Sequence, residues 1–183
     1  MRTLKFATSD KNQLHFSAAV RKNVNDYFKE KGIPQTANYA MVLQTIVMLS
    51  LYIVPFILIL TIPMNIWVAL GLVIVMGLGT AGIGMSVMHD AVHGSYSRKE
   101  WVNKMFGSSM YLLGSNVFNW KVQHNILHHT NTNIDGFDGD IDSKGPIRLS
   151  HSAPYKKFHR YQHFHAFFFY GLMTLSKLVQ DFT

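Results

Sequence analysis

The stretch that decides the fold is YAMVLQTIVMLSLYIVPFILILT (39–61), followed by IPMN (62–65) and IWVALGLVIVMGLGTAGIGMSVM (66–88). It forms the centre of a run from Gly32 to His89 that contains no Asp, Glu, Lys or Arg. One charge at a bilayer centre costs roughly 2.5–3.5 kcal/mol on insertion scales, so an uncharged run of this length reads as selection by lipid. It is too long for one buried helix and suits two bilayer crossings of about 20 residues each, joined by a very short turn. A soluble, wholly buried helical hairpin is the competing reading. Pro55 should kink the first crossing, which a membrane helix tolerates. The second crossing is rich in glycine, at 71, 77, 79, 82 and 84. In lipid, small residues let helices approach closely; in a soluble helix each glycine costs about 1 kcal/mol against alanine.

Outward from this hairpin, charge sets the orientation. Arg2, Lys5, Lys11, Arg21, Lys22, Lys29 and Lys31 precede the first crossing, and Arg98, Lys99, Lys104 and Lys121 follow the second. The turn between them carries no charge. Lys and Arg mark the cytoplasmic side, so both outer flanks, with the N-terminus, are expected there. Residues 1–38 read as a cytoplasmic N-terminal segment. Within it SAAVRKNVNDYFKEKG (17–32) places Val20, Val24, Tyr27 and Phe28 at helical spacing, with Gly32 and Pro34 as stops. This is an amphipathic helix on the membrane surface or, alternatively, in solvent.

The whole chain has 183 residues, 48% apolar and only 15% charged, with a net charge of +7 and no cysteine. That length suits one domain, here 39–183. The basic residues flank apolar spans and form no basic domain, so nucleic acid is not an expected partner. The lack of cysteine removes disulfides, thiolate catalysis and Cys-based metal sites. WVNKMFGSSMYLLGSNVF (101–118) is too short and polar for a crossing and reads as interfacial or partly embedded. TNTNIDGFDGDIDSKGP (130–146) is a loop rich in Asn, Asp and Gly. A third apolar segment begins near His165. The predicted architecture is all-α: an integral membrane hairpin, interfacial or cytoplasmic helices, and the start of a third membrane segment.

The chemistry lies in histidines. His89 and His93 are four residues apart, as are His124 and His128, and His129 is adjacent. On a helix each pair shares a face, one turn apart, within reach of one ion. His129 lies one step round the helix, where it could serve a second ion or cap the first from another side. Ten histidines in 183 positions give one such pair by chance in roughly every second sequence, so a lone pair is weak. A third pair, His159 and His163, reads as an interfacial segment. The five others cluster at the end of a membrane crossing, where ionisable groups are costly and functional. Imidazole suits iron, copper, nickel and zinc alike. A zinc hydrolase usually keeps three ligands and a nearby carboxylate base. Glu100 is the only Glu after residue 30, and it lies in neither cluster. Asp90 could orient His89. The excess of nitrogen donors points to two metals and redox chemistry.

HDAVHGS (89–95), followed by WKVQHNILHHTNTNIDGFDGDI (120–141), closely resembles the first two histidine boxes of membrane fatty acid desaturases. The spacing His-x-x-x-His-His is similar to the front-end and linoleoyl-CoA-type branch rather than to the commoner His-x-x-His-His. The likeness extends through RYQHFHAFFFYGL (160–172). It implies a non-haem centre of two irons held in part by His89, His93, His124, His128 and His129. It also implies introduction of a double bond into a fatty acyl-CoA or acyl-lipid, with O₂ as co-substrate and two electrons. Trp120, Asn116 and Asn125 are candidates for the substrate channel, with helix packing the competing role. The family's third box, Gln-x-x-His-His, does not follow residue 129, so the resemblance implies an incomplete, N-terminal part. No His-Pro-Gly-Gly haem motif is present, so electrons would come from a separate ferredoxin or cytochrome b5. A membrane di-iron hydroxylase, and an inactive or metal-free membrane protein, are the alternatives.

Overall fold

The computed structural model describes residues 11–141 and 146–181. Arg2 and Lys5 of the basic flank, residues 142–145 of the Asn/Asp/Gly-rich loop and the last two residues of the third apolar segment lie outside them. The described residues are helical and contain no strand. Helix α1 spans Lys11–Lys31, α2 Tyr39–Thr61 and α3 Ile66–Gly82. A π-helical turn, Ile83–Val87, then leads without a break into α4, Met88–Val92.

The hairpin follows from its capping residues and its apolarity. Asn38 accepts from the amide of Met41, and Asn65 accepts from those of Trp67 and Val68, each at 3.0 Å. A short polar residue thus satisfies the free amides at the start of each crossing. Pro55 sits inside α2, and the helix runs through it unbroken. Two helices are long and apolar enough to cross a membrane, Tyr39–Thr61 and Ile66–Val92, and only 11% of each apolar window is buried by protein. Ile46, Leu60, Trp67, Val73, Ile74 and Leu78 all stand exposed. So large an uncovered apolar surface does not fit a buried soluble hairpin and does fit lipid. The second crossing was expected to end at Met88; it continues to Val92 because the π-turn widens the helix without ending it.

Glycines 79 and 82 bring α2 and α3 together. A Cβ at Gly79 would lie 2.7 Å from the Tyr52 amide nitrogen and 2.9 Å from the Leu51 carbonyl carbon, and one at Gly82 would strike the Met48 side chain. Gly71 and Gly77 face open space and take no part in this contact. Not every glycine expected at the helix contact is therefore there: only those on the α2-facing stripe are.

Gly94, with φ of 74°, stops the chain after α4 and turns it back. Asn103 clamps this turn, donating to Ser97 O at 2.7 Å and accepting from Ser97 N at 2.8 Å. Helix α5, Glu100–Gly107, then packs against α4. A 3₁₀ segment, Ser108–Leu113, follows and ends at left-handed Gly114. The stretch read as interfacial or partly embedded is helical and packs back onto α4. Tyr52 of α2 donates to Leu112 O at 2.8 Å, and buried Tyr96 donates to Thr45 of α2 at 2.9 Å. Met88, Val92 and Met110 form the small core beneath it, with Val117 and Trp120 packed on them. Next come α6, Val117–Trp120, a π-helix over Lys121–His128, and α7, His129–Asn131. After a loop, a 3₁₀ turn (Lys157–Tyr161) leads into α8, Gln162–Asp181. Helix α8 carries the third apolar stretch. It is not among the helices apolar enough to cross a membrane, because Gln162, His163, His165, Lys177 and Asp181 dilute it.

Candidate metal centre

Two segments carry the imidazoles. His89 lies at the start of α4 and His93 caps its end. His124 and His128 lie on the π-helix, and His129 follows. The five rings meet in one cluster. Ring centres are 4.6 Å apart for His89 and His93, and 5.4 Å from each of these to His124. His129 lies 4.8 Å from both His93 and His124. His128 lies 5.2 Å from His124 and 5.3 Å from His129. One nitrogen from each of His89, His93 and His124 lies within 4.8 Å of the others, as do donor atoms of His124, His128 and Asp140.

The π-helix explains His129. At about 100° per residue an α-helix would turn it about 140° away from His124, five positions back. In the π-helix, with its i to i+5 bonding, residues five apart come into line. Nε2 of His129 stands 3.3 Å from Nε2 of His124. The sequence reading left His129 between a second ion and a cap of the first; the wider turn brings it into the same cluster.

The electrostatics suit a cation. Nε2 of His93 is buried and has no hydrogen-bond partner, an arrangement that is costly unless something binds there. Burial, then neighbouring His89 and His129, push the His93 imidazole below its ordinary range. Burial does the same to His124 despite Asp140 beside it. Both rings therefore keep a neutral lone pair at pH 7. His128 is pushed up, chiefly by its hydrogen bond to Asp138. Burial pushes Asp138 up, but hydrogen bonds from His128 and from the amides of Asn133 and Asp140 outweigh it and hold the carboxyl below its usual range.

Trp120 covers the cluster. Its ring stacks on His124 at 4.3 Å and meets His89 and His93 edge-on, at 5.8 Å each. Beside it opens a cavity of about 450 Å³ whose wall includes Met88, Met110, Leu113, Asn116, Trp120 and Leu149. That volume lies within the range of small-molecule sites. Asn125 is not on this wall; its amide reaches Val92 O at 3.4 Å and so ties the two histidine segments together. His159 is buried with Nδ1 accepting from Lys156 N, whereas His163 is exposed on Phe164. That pair does not converge.

Comparison with known proteins follows the same line. The sequence profile described as fatty acid desaturase matches residues 64–182. The chain belongs to the fatty acid desaturase family. This desaturase-family chain is 35% identical, over 91% of its length and 45% of the relative's, to an sn-1 linoleoyl-lipid 6-desaturase of Arthrospira platensis. It is 31% identical, over 98% of its length and 37% of the relative's, to an acyl-lipid (8-3)-desaturase of Physcomitrium patens. The chain spans less than half the length of these curated relatives. No solved structure matches it significantly.

Asp90 Oδ1 lies 3.1 Å from His89 Nδ1, at the position from which it could orient that ring. The carboxylates that sequence reasoning missed in this desaturase-family site are Asp138 and Asp140. Asp138 Oδ1 lies 2.9 Å from His128 Nδ1, and Asp140 Oδ2 lies 3.4 Å from His124 Nδ1. Both sit in GFDGD (136–140), where turn-forming composition marks only a polar loop. Their alternation two residues apart, 10 and 16 residues after the imidazoles they meet, was the only signal.

Proposed function

We propose that these residues form part of a membrane fatty acyl desaturase, in which His89, His93, His124, His128 and His129 hold two non-haem irons. The convergence of five imidazoles from two segments around the buried, unpartnered Nε2 of His93 carries this reading. The set fits iron: imidazole is a suitable donor for it, and five imidazoles exceed the three ligands that a catalytic zinc usually keeps. The chain spans less than half of its relatives' length, so the activity is proposed for the whole enzyme.

The reaction takes two hydrogens from adjacent methylenes of an acyl chain. With two electrons and two further protons they reduce O₂ to two waters. When bound, the irons supply the oxidation of C–H bonds that acid–base side chains cannot attack. The residues of the chain do the rest. Met88, Met110, Leu113 and Leu149 offer an apolar wall for the acyl chain beside His124. Trp120 packs against three of the rings. Lys and Arg on both outer flanks favour the cytoplasmic side for the N-terminus and the histidines. Electrons would arrive from a separate ferredoxin or cytochrome b5, and the substrate would be an acyl-lipid or acyl-CoA.

The test is iron content and product of the enzyme expressed from its complete gene in lipid. Loss of a hydrogen pair, read by mass spectrometry, supports desaturation, whereas gain of an oxygen assigns a hydroxylase. A purified enzyme free of metal and without product overturns both. His128→Ala and His129→Ala should each abolish iron binding and product. Leu149→Trp should fill the cavity and lower kcat/KM for long acyl chains about tenfold or more while leaving iron content unchanged. Equal activity on long and short chains in that variant would remove the cavity from the substrate path.

A further inference from the structure

Three of the five imidazoles carry a carboxylate on the same ring nitrogen. Asp90 lies on Nδ1 of His89, Asp140 on Nδ1 of His124 and Asp138 on Nδ1 of His128. Asp138 differs from the other two in being fully buried, at 0% exposure. Its Oδ1 accepts from His128 Nδ1 at 2.9 Å and from the Asp140 amide at 3.0 Å, and its Oδ2 accepts from the Asn133 amide at 2.8 Å. The loop is shaped to make this cradle. Asn133 and Gly136 take positive φ, 62° and 73°, and the Asp138 amide returns to Ile134 O at 2.9 Å. Asp140 is steadied in turn by Gln123 Nε2 at 3.0 Å.

We propose that Asp138 is a positioning residue that fixes the tautomer of His128, and that the loop 132–141 is thereby a working part of the metal centre. This rests on the metal reading given above. A buried carboxylate only accepts hydrogen bonds, so Nδ1 of His128 must be the donor. A neutral imidazole has one N–H. Spending it on Asp138 leaves the Nε2 lone pair as the only one free for a metal. Asp140 imposes the same choice on His124, whose Nε2 faces the Nε2 of His129 at 3.3 Å. The same arrangement argues against Asp140 as a metal ligand, although it lies close to His124 and His128: its oxygen occupies the Nδ1 edges of both rings, away from the Nε2 side.

Asp138→Asn tests this. Asparagine keeps the shape; with its NH₂ in place of Oδ1 it keeps the Asn133 amide contact, gives up the Asp140 one and donates to Nδ1, which turns the imidazole lone pair the wrong way, as in the catalytic triad of serine proteases. The whole protein in lipid nanodiscs is loaded with Co²⁺ as the probe. In the wild type, proton NMR should show an exchangeable, paramagnetically shifted Nδ1–H resonance from His128. Asp138→Asn should lose or move that resonance and bind Co²⁺ about 10- to 100-fold more weakly. Asp135→Asn, an exposed neighbour in the same loop, should change neither. An Asp138→Asn protein with the wild-type resonance and affinity overturns the proposal and leaves the metal reading standing. A wild type that binds no Co²⁺ overturns both.

Discussion

Replacing His124 by alanine should empty the proposed iron site. This ring touches every other member of the cluster: His89 on α4 and His93 at its end, and His128 and His129 on its own segment. It also belongs to both groups of donor atoms close enough to share an ion. Outer partners of metal ligands are worth 10- to 100-fold in affinity, so loss of the common donor is expected to cost at least about a hundredfold and to abolish product. The measurement is bound iron per purified protein, with product analysis alongside. His163→Ala, on an exposed ring outside the cluster, should keep its metal. Equal iron in the His124 variant and the wild type would mean that the cluster is not the binding site.

The second large effect is expected in the hairpin. A leucine at Gly79 has no room, because even its Cβ meets backbone atoms of Tyr52 and Leu51, which cannot swing aside as a side chain can. Overpacking costs about 1–3 kcal/mol where side chains can adjust, and a backbone clash should exceed that. Helices α2 and α3 would be pushed apart, carrying with them the Tyr52 hydrogen bond to Leu112 and the floor beneath the histidines. Gly77→Leu is the matched control, since that position opens onto free space. Thermal unfolding in lipid should show a clearly lower Tm for Gly79→Leu and little change for Gly77→Leu. Equal Tm values would show that the close approach at Gly79 contributes nothing to stability.

These contrasts also show which features were legible in the sequence. The first crossing, Tyr39–Thr61, has the limits read from composition, because the absence of charge is a property of residues one at a time. Four of the metal-ligand candidates, His89, His93, His124 and His128, were equally plain, since histidines four apart on a helix need no tertiary information. Other features depend on register. Which glycines face α2 is set by how the two helices rotate against each other, so Gly79 and Gly77 look alike in the sequence. The place of His129 depends on a change of helix type that spacing alone does not reveal. Asp138 and Asp140 were hidden for another reason. They reach the imidazoles through a loop whose path is set by Asn133 and Gly136 in left-handed conformations, and composition marks such a loop only as a turn.

The wide turn at Lys121–His128 also bears on how such sites diverge. On an ordinary α-helix, donors spaced His-x-x-His-His already share a face. One inserted codon gives His-x-x-x-His-His, and a bulge in the helix absorbs it locally. In this chain the wide turn keeps His124, His128 and His129 in one cluster, with Nε2 of His129 3.3 Å from Nε2 of His124. With the wide turn, the longer spacing still presents three imidazoles to one place, as the shorter spacing would on an α-helix.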